Sequence, residues 1–155
     1  MSIEKIVTKQ YRDKVNQAVK QFIGYSMLPS EGWLRTVRTA FGMPATQLAK
    51  KLGISKARIY KVEQDEPAGS PTLKTMHTMA EAMGCRFVYA VIPEAEIEDV
   101  IKQRALKKAR EQVKIASTHM ALEAQSLSEE QLKYEVERIA AEMVEKMPSD
   151  FWNDK

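Results

Sequence analysis

The sequence contains few of the residues that form disulfides or metal sites. It has one cysteine, Cys85, and two histidines, His77 and His119. A single cysteine excludes an internal disulfide, and so small a set of thiols and imidazoles argues against a structural zinc site. No metal or other cofactor is expected.

Long apolar runs are also missing, because Lys, Arg or Glu interrupts every candidate. A membrane-spanning helix needs about 20 consecutive apolar residues, so no membrane segment is expected. The N-terminal residues lack the pattern of a signal peptide, which predicts a cytoplasmic protein. Hydrophobic residues still make up 44% of the chain, enough for a folded core.

The signatures of catalysis are absent as well. No glycine-rich phosphate loop follows a strand pattern, and no nucleophile lies beside a base in the sequence. We therefore expect a binding protein rather than an enzyme.

Charge is divided unevenly along the chain. Residues 1–92 carry a net charge of +7, whereas residues 93–155 carry −4. Counterion release would favour the basic part on DNA, and phosphate would repel the acidic part. The two parts are therefore expected to have different partners.

The segment 44–63 predicts two short helices joined by a tight turn. Pro44 suits the first turn of a helix, Gly53 suits a left-handed helix end, and Ser55 can cap the second helix. Apolar residues occur at helical spacing on both helices: Leu48, Ala49, Leu52, Ile59 and Val62. This pattern is typical of a helix-turn-helix that binds the major groove.

The residues left on the outer side are the predicted DNA contacts. Lys56 and Ala57 would lie nearest the base edges, because the start of the second helix enters the groove. Thr46 and Gln47 would bond phosphates and fix the register. The complete predicted set is Thr46, Gln47, Ser55, Lys56, Ala57, Arg58 and Lys61. A basic face exposed only to solvent is the alternative.

The helical spacing of apolar residues stops before residues 86–92. These residues are rich in β-branched and aromatic side chains, and Pro93 follows them. They predict a single β-strand. A lone strand needs a partner, and we expect a second copy of the chain to pair with it antiparallel across a two-fold axis. Pairing with the chain's own N-terminal segment is the alternative.

Residues 94–123 and the segment from Ser128 to Met147 predict two further helices. Ser128 and Gln131 form a capping box, and an apolar stripe follows on the second helix. The stripe packs either on the chain's own core or dimer mate, or in a groove of another protein. In the second case Phe151 and Trp152 would be the anchors.

The segment 44–63, together with residues 70–84, resembles the lambda-repressor-like (XRE) family. The fold class that follows is mainly α: a helix-turn-helix bundle with one β-strand and a helical C-terminal extension. The expected domains are an N-terminal helix and loop (1–32), the DNA-binding domain with its terminal strand (33–92), and an acidic extension for partner binding or dimer packing (93–155).

Three further stretches, 32–43, 84–93 and 119–125, look like the family called mobile mystery protein A. That resemblance implies an antitoxin that represses its own operon and restrains a Fic-domain toxin. Fic-inhibiting helices carry Ser or Thr, three residues, Glu, then Gly or Asn. Glu130 follows Ser126 at this spacing, but Gln131 replaces the Gly or Asn. Glu123 lies in a second incomplete copy and is the better candidate, with an ordinary surface glutamate as the alternative.

The sequence thus predicts a DNA-binding transcriptional regulator that is homodimeric on a double-stranded operator. The resemblance to mobile mystery protein A implies a Fic-type toxin as a further partner. The alternative is a stand-alone XRE-type repressor whose C-terminal helices only dimerise or pack on its own core.

Overall fold

The fold is mainly helical in a computed structural model of the chain that describes residues 1–22, 28–122 and 127–154, and this part of the prediction is confirmed. The described ranges contain seven α-helices: α1 Ile3–Phe22, α2 Trp33–Ala40, α3 Ala45–Leu52, α4 Lys56–Asp65, α5 Leu73–Ala82, α6 Ile97–Leu122 and α7 Glu129–Lys146. A short 3₁₀ turn, Glu66–Ala68, follows α4.

The chain divides into two compact units. The central unit is Phe22–Val91, and the flanking unit combines Met1–Gln21 with Ile92–Lys155. Helix α1 therefore belongs with α6 and α7, although α2 to α5 lie between them in sequence. Each unit has a hydrophobic cluster of its own.

The core of the central unit is formed by the apolar faces of α2 to α5. Its most deeply buried side chains are Leu48 and Ile59, both fully inaccessible to solvent, and Met79. The Met-rich spacing of α5 is thus used for packing: Met76, Met79 and Met83 all lie in this cluster. Unbranched Met side chains fill irregular gaps between short helices.

The flanking unit is built around α6 and α7. Small residues on α6, Ala105 and Ala109, are fully buried, which lets the two helices approach closely, and Met143 of α7 packs against them. The predicted capping box at the start of α7 is present: Ser128 Oγ accepts from Gln131 N, and Gln131 Oε1 accepts from Ser128 N. The apolar stripe of α7 is therefore covered by the chain's own α6.

The predicted strand at residues 86–92 is wrong. No residue in the described ranges lies in a β-strand, and residues 86–92 have no regular secondary structure. The proposed intrachain partner is excluded too, because Ile3–Phe22 is helical. The side chains of 86–92 favour a strand, but a strand exists only with hydrogen bonds to a neighbouring strand, and the described part of one chain supplies none.

Candidate nucleic-acid interface

The turn between α3 and α4 has the geometry that the sequence predicts. Gly53 ends α3 in the left-handed region at φ 65°, and the N–H of Ile54 then donates to Ala49 O at 3.1 Å. Ser55 begins α4, with its side chain accepting from Arg58 N at 3.1 Å. Ile54, in the turn itself, is 40% exposed.

Helix α4 presents one apolar face and one polar face. Ile59 and Val62 are buried in the core of the central unit. The predicted DNA contacts on this helix are all exposed: Lys56, Ala57, Arg58 and Lys61. Ser55, Thr46 and Gln47 are also exposed, the last two in the first turn of α3. The local fold thus leaves every predicted contact residue accessible to a ligand.

The cations on α4 differ in how far they are engaged. Lys61 Nζ pairs with Asp65 Oδ1 at 2.8 Å on the exposed face, an i,i+4 pair that sequence reasoning missed. Arg58 makes no ion pair within the described part of the chain. Lys56 Nζ lies 5.6 Å from the ring centroid of Tyr60, which is itself 46% exposed. Lys56 and Arg58 are therefore the cations most available for bases or phosphates.

A buried ion pair fixes α4 against α2. Arg38 donates through Nε and Nη2 to the two oxygens of Glu63, and through Nη1 to Met43 O at 3.0 Å. The hydrogen bond to Glu63 raises the pKa of Arg38 above its ordinary value. Both partners are buried: the side chain of Arg38 is 11% exposed and that of Glu63 is 3% exposed.

A second buried carboxylate holds the start of α2. Glu66 accepts from Trp33 N at 2.5 Å and from Leu34 N at 2.8 Å. A carboxylate at a helix N-terminus satisfies free N–H groups and interacts favourably with the helix dipole. Glu63 and Glu66 continue the helical spacing of the buried Ile59 and Val62, and this placement is the sequence signal that could have identified them.

The residues predicted for a protein partner lie in different environments. Phe151 is 1% exposed within the core of the flanking unit, whereas Trp152 is 54% exposed. The ring of Phe151 is therefore already used inside the chain, and of these two aromatic residues only Trp152 presents its side chain to a partner. Glu123 and Ser126 lie outside the described residues.

Glu130 is exposed in the first turn of α7. It borders a surface cavity of about 420 Å³ that is also lined by Leu127, Gln131, Tyr134 and Glu135. The side chain of Gln131 is held in the capping box at 2.9 Å from Ser128 N, so a Gly at this position would lose that bond. The departure from the Fic-inhibiting motif at residue 131 thus has a structural role in α7.

The segment 86–92 contains two stacked aromatic rings and two exposed valines. The rings of Phe87 and Tyr89 stack at a centroid distance of 5.7 Å, and Phe87 also meets His77 at 5.2 Å. Val88 and Val91 are exposed, at 56% and 94%. No backbone hydrogen bond joins residues 86–92 to the rest of the described chain.

The described residues contain no group of three or more His, Cys, Asp or Glu side chains placed to hold a metal ion. Among the helices described, none combines the length and apolar character needed to cross a membrane.

Comparison with known proteins identifies the domain that carries this surface. Residues 34–89, which span α2 to α5 and the start of the following segment, match the family model described as helix-turn-helix. These residues form a helix-turn-helix domain of the XRE type, which supports a DNA-binding regulator. No curated protein matches the chain, and no solved structure does.

Proposed function

We propose that the chain, whose residues 34–89 form a helix-turn-helix domain, is a sequence-specific repressor that acts by binding rather than by catalysis. The observation that carries the proposal is the exposed start of α4, where Lys56, Ala57 and Arg58 project from a helix fixed on its other face by Ile59 and Val62. A helix presented in this way fits the major groove, where Lys can donate to guanine and the Ala methyl can touch thymine.

Selection from a randomised duplex library tests this function. The wild-type chain should enrich one sequence, and Lys56→Ala with Arg58→Ala should weaken binding to it by about 1–3 kcal/mol per lost base contact. The double variant should also bind with a shallower salt dependence if either side chain contacts a phosphate. Lys74→Ala with Arg86→Ala is the charge-matched control, since both residues are exposed and lie outside α4. An equal loss of binding free energy in the two double variants would contradict the assignment of the DNA-binding surface to α4.

We propose further that two chains bind the operator together. The exposed apolar side chains of Val88 and Val91, 56% and 94% accessible, would be covered where the two chains meet. The contact of Phe87 with His77 holds this segment against α5 of the central unit. A two-fold dimer would also place two recognition helices for two half-sites.

Sedimentation equilibrium tests this dimer. Val88→Lys with Val91→Lys should shift the wild-type dimer toward monomer, because two ammonium groups would have to be buried at the contact. Ile3→Lys with Leu122→Lys is the control, since these apolar residues are similarly exposed but lie in the flanking unit. A wild-type monomer at all concentrations, or equal weakening by both pairs, would contradict a dimer through residues 86–92.

The second function that we propose is restraint of a Fic-type toxin by the flanking unit. The resemblance of residues 119–125 to mobile mystery protein A supports it, as does the acidic charge of residues 93–155, which DNA binding does not use. Trp152 is an exposed aromatic residue of the kind that anchors protein interfaces. The alternative is a stand-alone repressor whose α6 and α7 serve only for packing.

The product of the adjoining reading frame decides between toxin restraint and a stand-alone repressor. A Fic-domain product encoded there should co-purify with the full-length chain, and Glu123→Ala should relieve inhibition of its AMP transfer without dissolving the complex. Glu130→Ala is the comparison, since it is the second motif glutamate. A neighbouring Fic protein that neither binds nor is inhibited would leave the stand-alone repressor.

A further inference from the structure

The ring of Tyr60 lies near two cations of the central unit. Lys56 Nζ is 5.6 Å from its centroid and Arg38 Cζ is 5.9 Å from it. Both distances fall within the range of a cation–π interaction. The ring therefore joins a residue of the exposed α4 surface to a residue of the buried ion pair.

The two cations differ in the number of contacts that they make. The guanidinium of Arg38 is fixed by three hydrogen bonds, to both oxygens of Glu63 and to Met43 O. Lys56 is exposed and makes no hydrogen bond or ion pair to other described residues. Its contact with the ring of Tyr60, one helical turn away, is the one polar or ring contact that its ammonium group makes to the described residues. The Tyr60 ring is thus placed to restrict the rotamers of a side chain that no hydrogen bond or ion pair to these residues holds.

We propose that Tyr60 is a positioning residue for operator recognition, in which its ring, seated on Arg38, holds the Lys56 ammonium in the orientation that meets the base edge. This inference rests on the proposed DNA-binding function and assigns a role within it that the exposed cations alone do not reveal. A free lysine side chain has many rotamers, and ordering it on binding lowers affinity. Restricting those rotamers in the free protein reduces that cost and favours the base that matches the preset position.

The size of the effect follows from the strength of an exposed cation–π contact, which corresponds to about a two- to fivefold change in affinity. Tyr60→Ala should weaken binding of the duplex selected by the wild-type chain by this factor. Selection with Lys56→Ala identifies the base pair that Lys56 reads, because the preference at that position disappears. Tyr60→Ala should also reduce the preference at that base pair. Tyr60→Phe keeps the ring and should retain both affinity and discrimination.

A double-mutant cycle separates positioning from other roles. In a Lys56→Ala background, Tyr60→Ala should have no further effect, because the side chain that it positions is gone. If Tyr60→Ala weakens binding equally with and without Lys56, or if Tyr60→Phe is as harmful as Tyr60→Ala, the ring or its hydroxyl contacts DNA directly and the inference is overturned. Thermal unfolding of each variant shows whether a loss of fold contributes.

The free protein provides a readout that needs no DNA. The ε-methylene protons of Lys56 should resonate upfield of ordinary lysine values through the ring current of Tyr60, and should return to them in Tyr60→Ala but not in Tyr60→Phe. Unshifted protons in the wild type would overturn the inference.

If the wild-type chain selects no duplex, the proposed function fails and this inference fails with it. If it selects one and Tyr60→Ala changes neither affinity nor discrimination, only this inference fails.

Discussion

Arg38 and Glu63 form a two-point ion pair in the central unit, with Nε donating to Oε1 at 2.5 Å and Nη2 to Oε2 at 3.0 Å. The pair links α2 to α4, and a third bond from Arg38 to Met43 O extends it to the loop before α3. Because both side chains are almost inaccessible to solvent, the two charges depend on each other. The pair therefore holds the exposed α4 surface in a fixed orientation.

Removing one partner of this pair should destabilise the central unit strongly. Arg38→Met would leave the Glu63 carboxylate buried without a counter-charge, at a cost of about 3–5 kcal/mol in the free energy of unfolding. Urea denaturation followed by circular dichroism measures the change. Arg35→Met is the control, since the side chain of Arg35 is 59% exposed and a surface substitution changes stability by about 0.5 kcal/mol or less.

Replacing both partners should recover much of that loss. Arg38→Met with Glu63→Leu leaves no uncompensated charge, so the double variant should be more stable than Arg38→Met alone. A double variant at least as unstable as the single one would show that the bond to Met43, rather than the ion pair, is the main contribution.

Gly32 should be intolerant of a side chain because of Glu66. A Cβ at Gly32 would lie 2.8 Å from Glu66 Oε2, and Gly32 has φ +82°. Gly32→Ala should therefore combine backbone strain with loss of the Glu66 hydrogen bonds to α2, about 2–4 kcal/mol in all. Gly69→Ala is the comparison, with φ +76°, ψ 16° and nothing within 4 Å of its Cβ. It should cost less than Gly32→Ala, because Gly32, at ψ 161°, lies in a region open almost only to glycine and also faces Glu66. Equal losses in thermal denaturation of the two variants would show that the Glu66 contact contributes nothing.

The helix-turn-helix was predictable because its signals are local. A left-handed Gly53, a capping Ser55 and apolar residues at helical spacing depend only on near neighbours in sequence, and all three appear in the structure. The partners of Glu63 and Glu66 were not predictable in this way. Their bonds reach residues 25 to 33 positions away in the sequence, and charged residues are assigned to the surface unless a partner is known.

In the C-terminal region, too, the sequence predicted local features but not the contacts between distant residues. The sequence predicted the apolar stripe of α7 and its capping box, but spacing does not identify what covers a stripe. In the structure α6 covers it, and Phe151 folds back into the same core. The strand prediction failed because β-propensity describes side chains, whereas a strand requires a second strand that the described part of the chain lacks.

Phe151 and Trp152 are neighbours that should respond oppositely to truncation. Phe151→Ala would open a cavity in the core of the flanking unit and cost about 3–5 kcal/mol. Trp152→Ala should cost far less, because the side chain is 54% exposed and its ring meets only the Arg104 guanidinium, at 5.2 Å, and the ring of Phe151, at 4.9 Å, among the described residues. Unfolding monitored by circular dichroism distinguishes the two variants. Similar losses for both would mean that Phe151 is not a core residue in solution.

Asn16 of α1 stabilises the start of α6 through two hydrogen bonds. Its Oδ1 accepts from Ile97 N at 3.0 Å, and its Nδ2 donates to Glu98 Oε2 at 2.8 Å. Asn16→Ala should destabilise the flanking unit by about 1 kcal/mol at neutral pH, the usual effect of losing a helix cap. Gln17→Ala, an exposed neighbour on the same helix, is the control.

Part of the Asn16 effect should depend on pH. The pKa of Glu98 lies below its ordinary value, first because Asn16 donates to its carboxylate, then through its own backbone N–H and the nearby charge of Arg12. A lowered pKa in the folded state contributes stability above the ordinary glutamate pKa of about 4.3, and this contribution is lost as the pH falls through the folded value.

The difference in unfolding free energy between wild type and Asn16→Ala should therefore narrow on acidification from pH 7 to about 3, while the bond to Ile97 N keeps it above zero. In a Glu98→Gln background the same difference should not change with pH. Urea titrations at several pH values measure both. A constant difference in the wild-type background would show that the Asn16–Glu98 hydrogen bond does not stabilise the charged carboxylate.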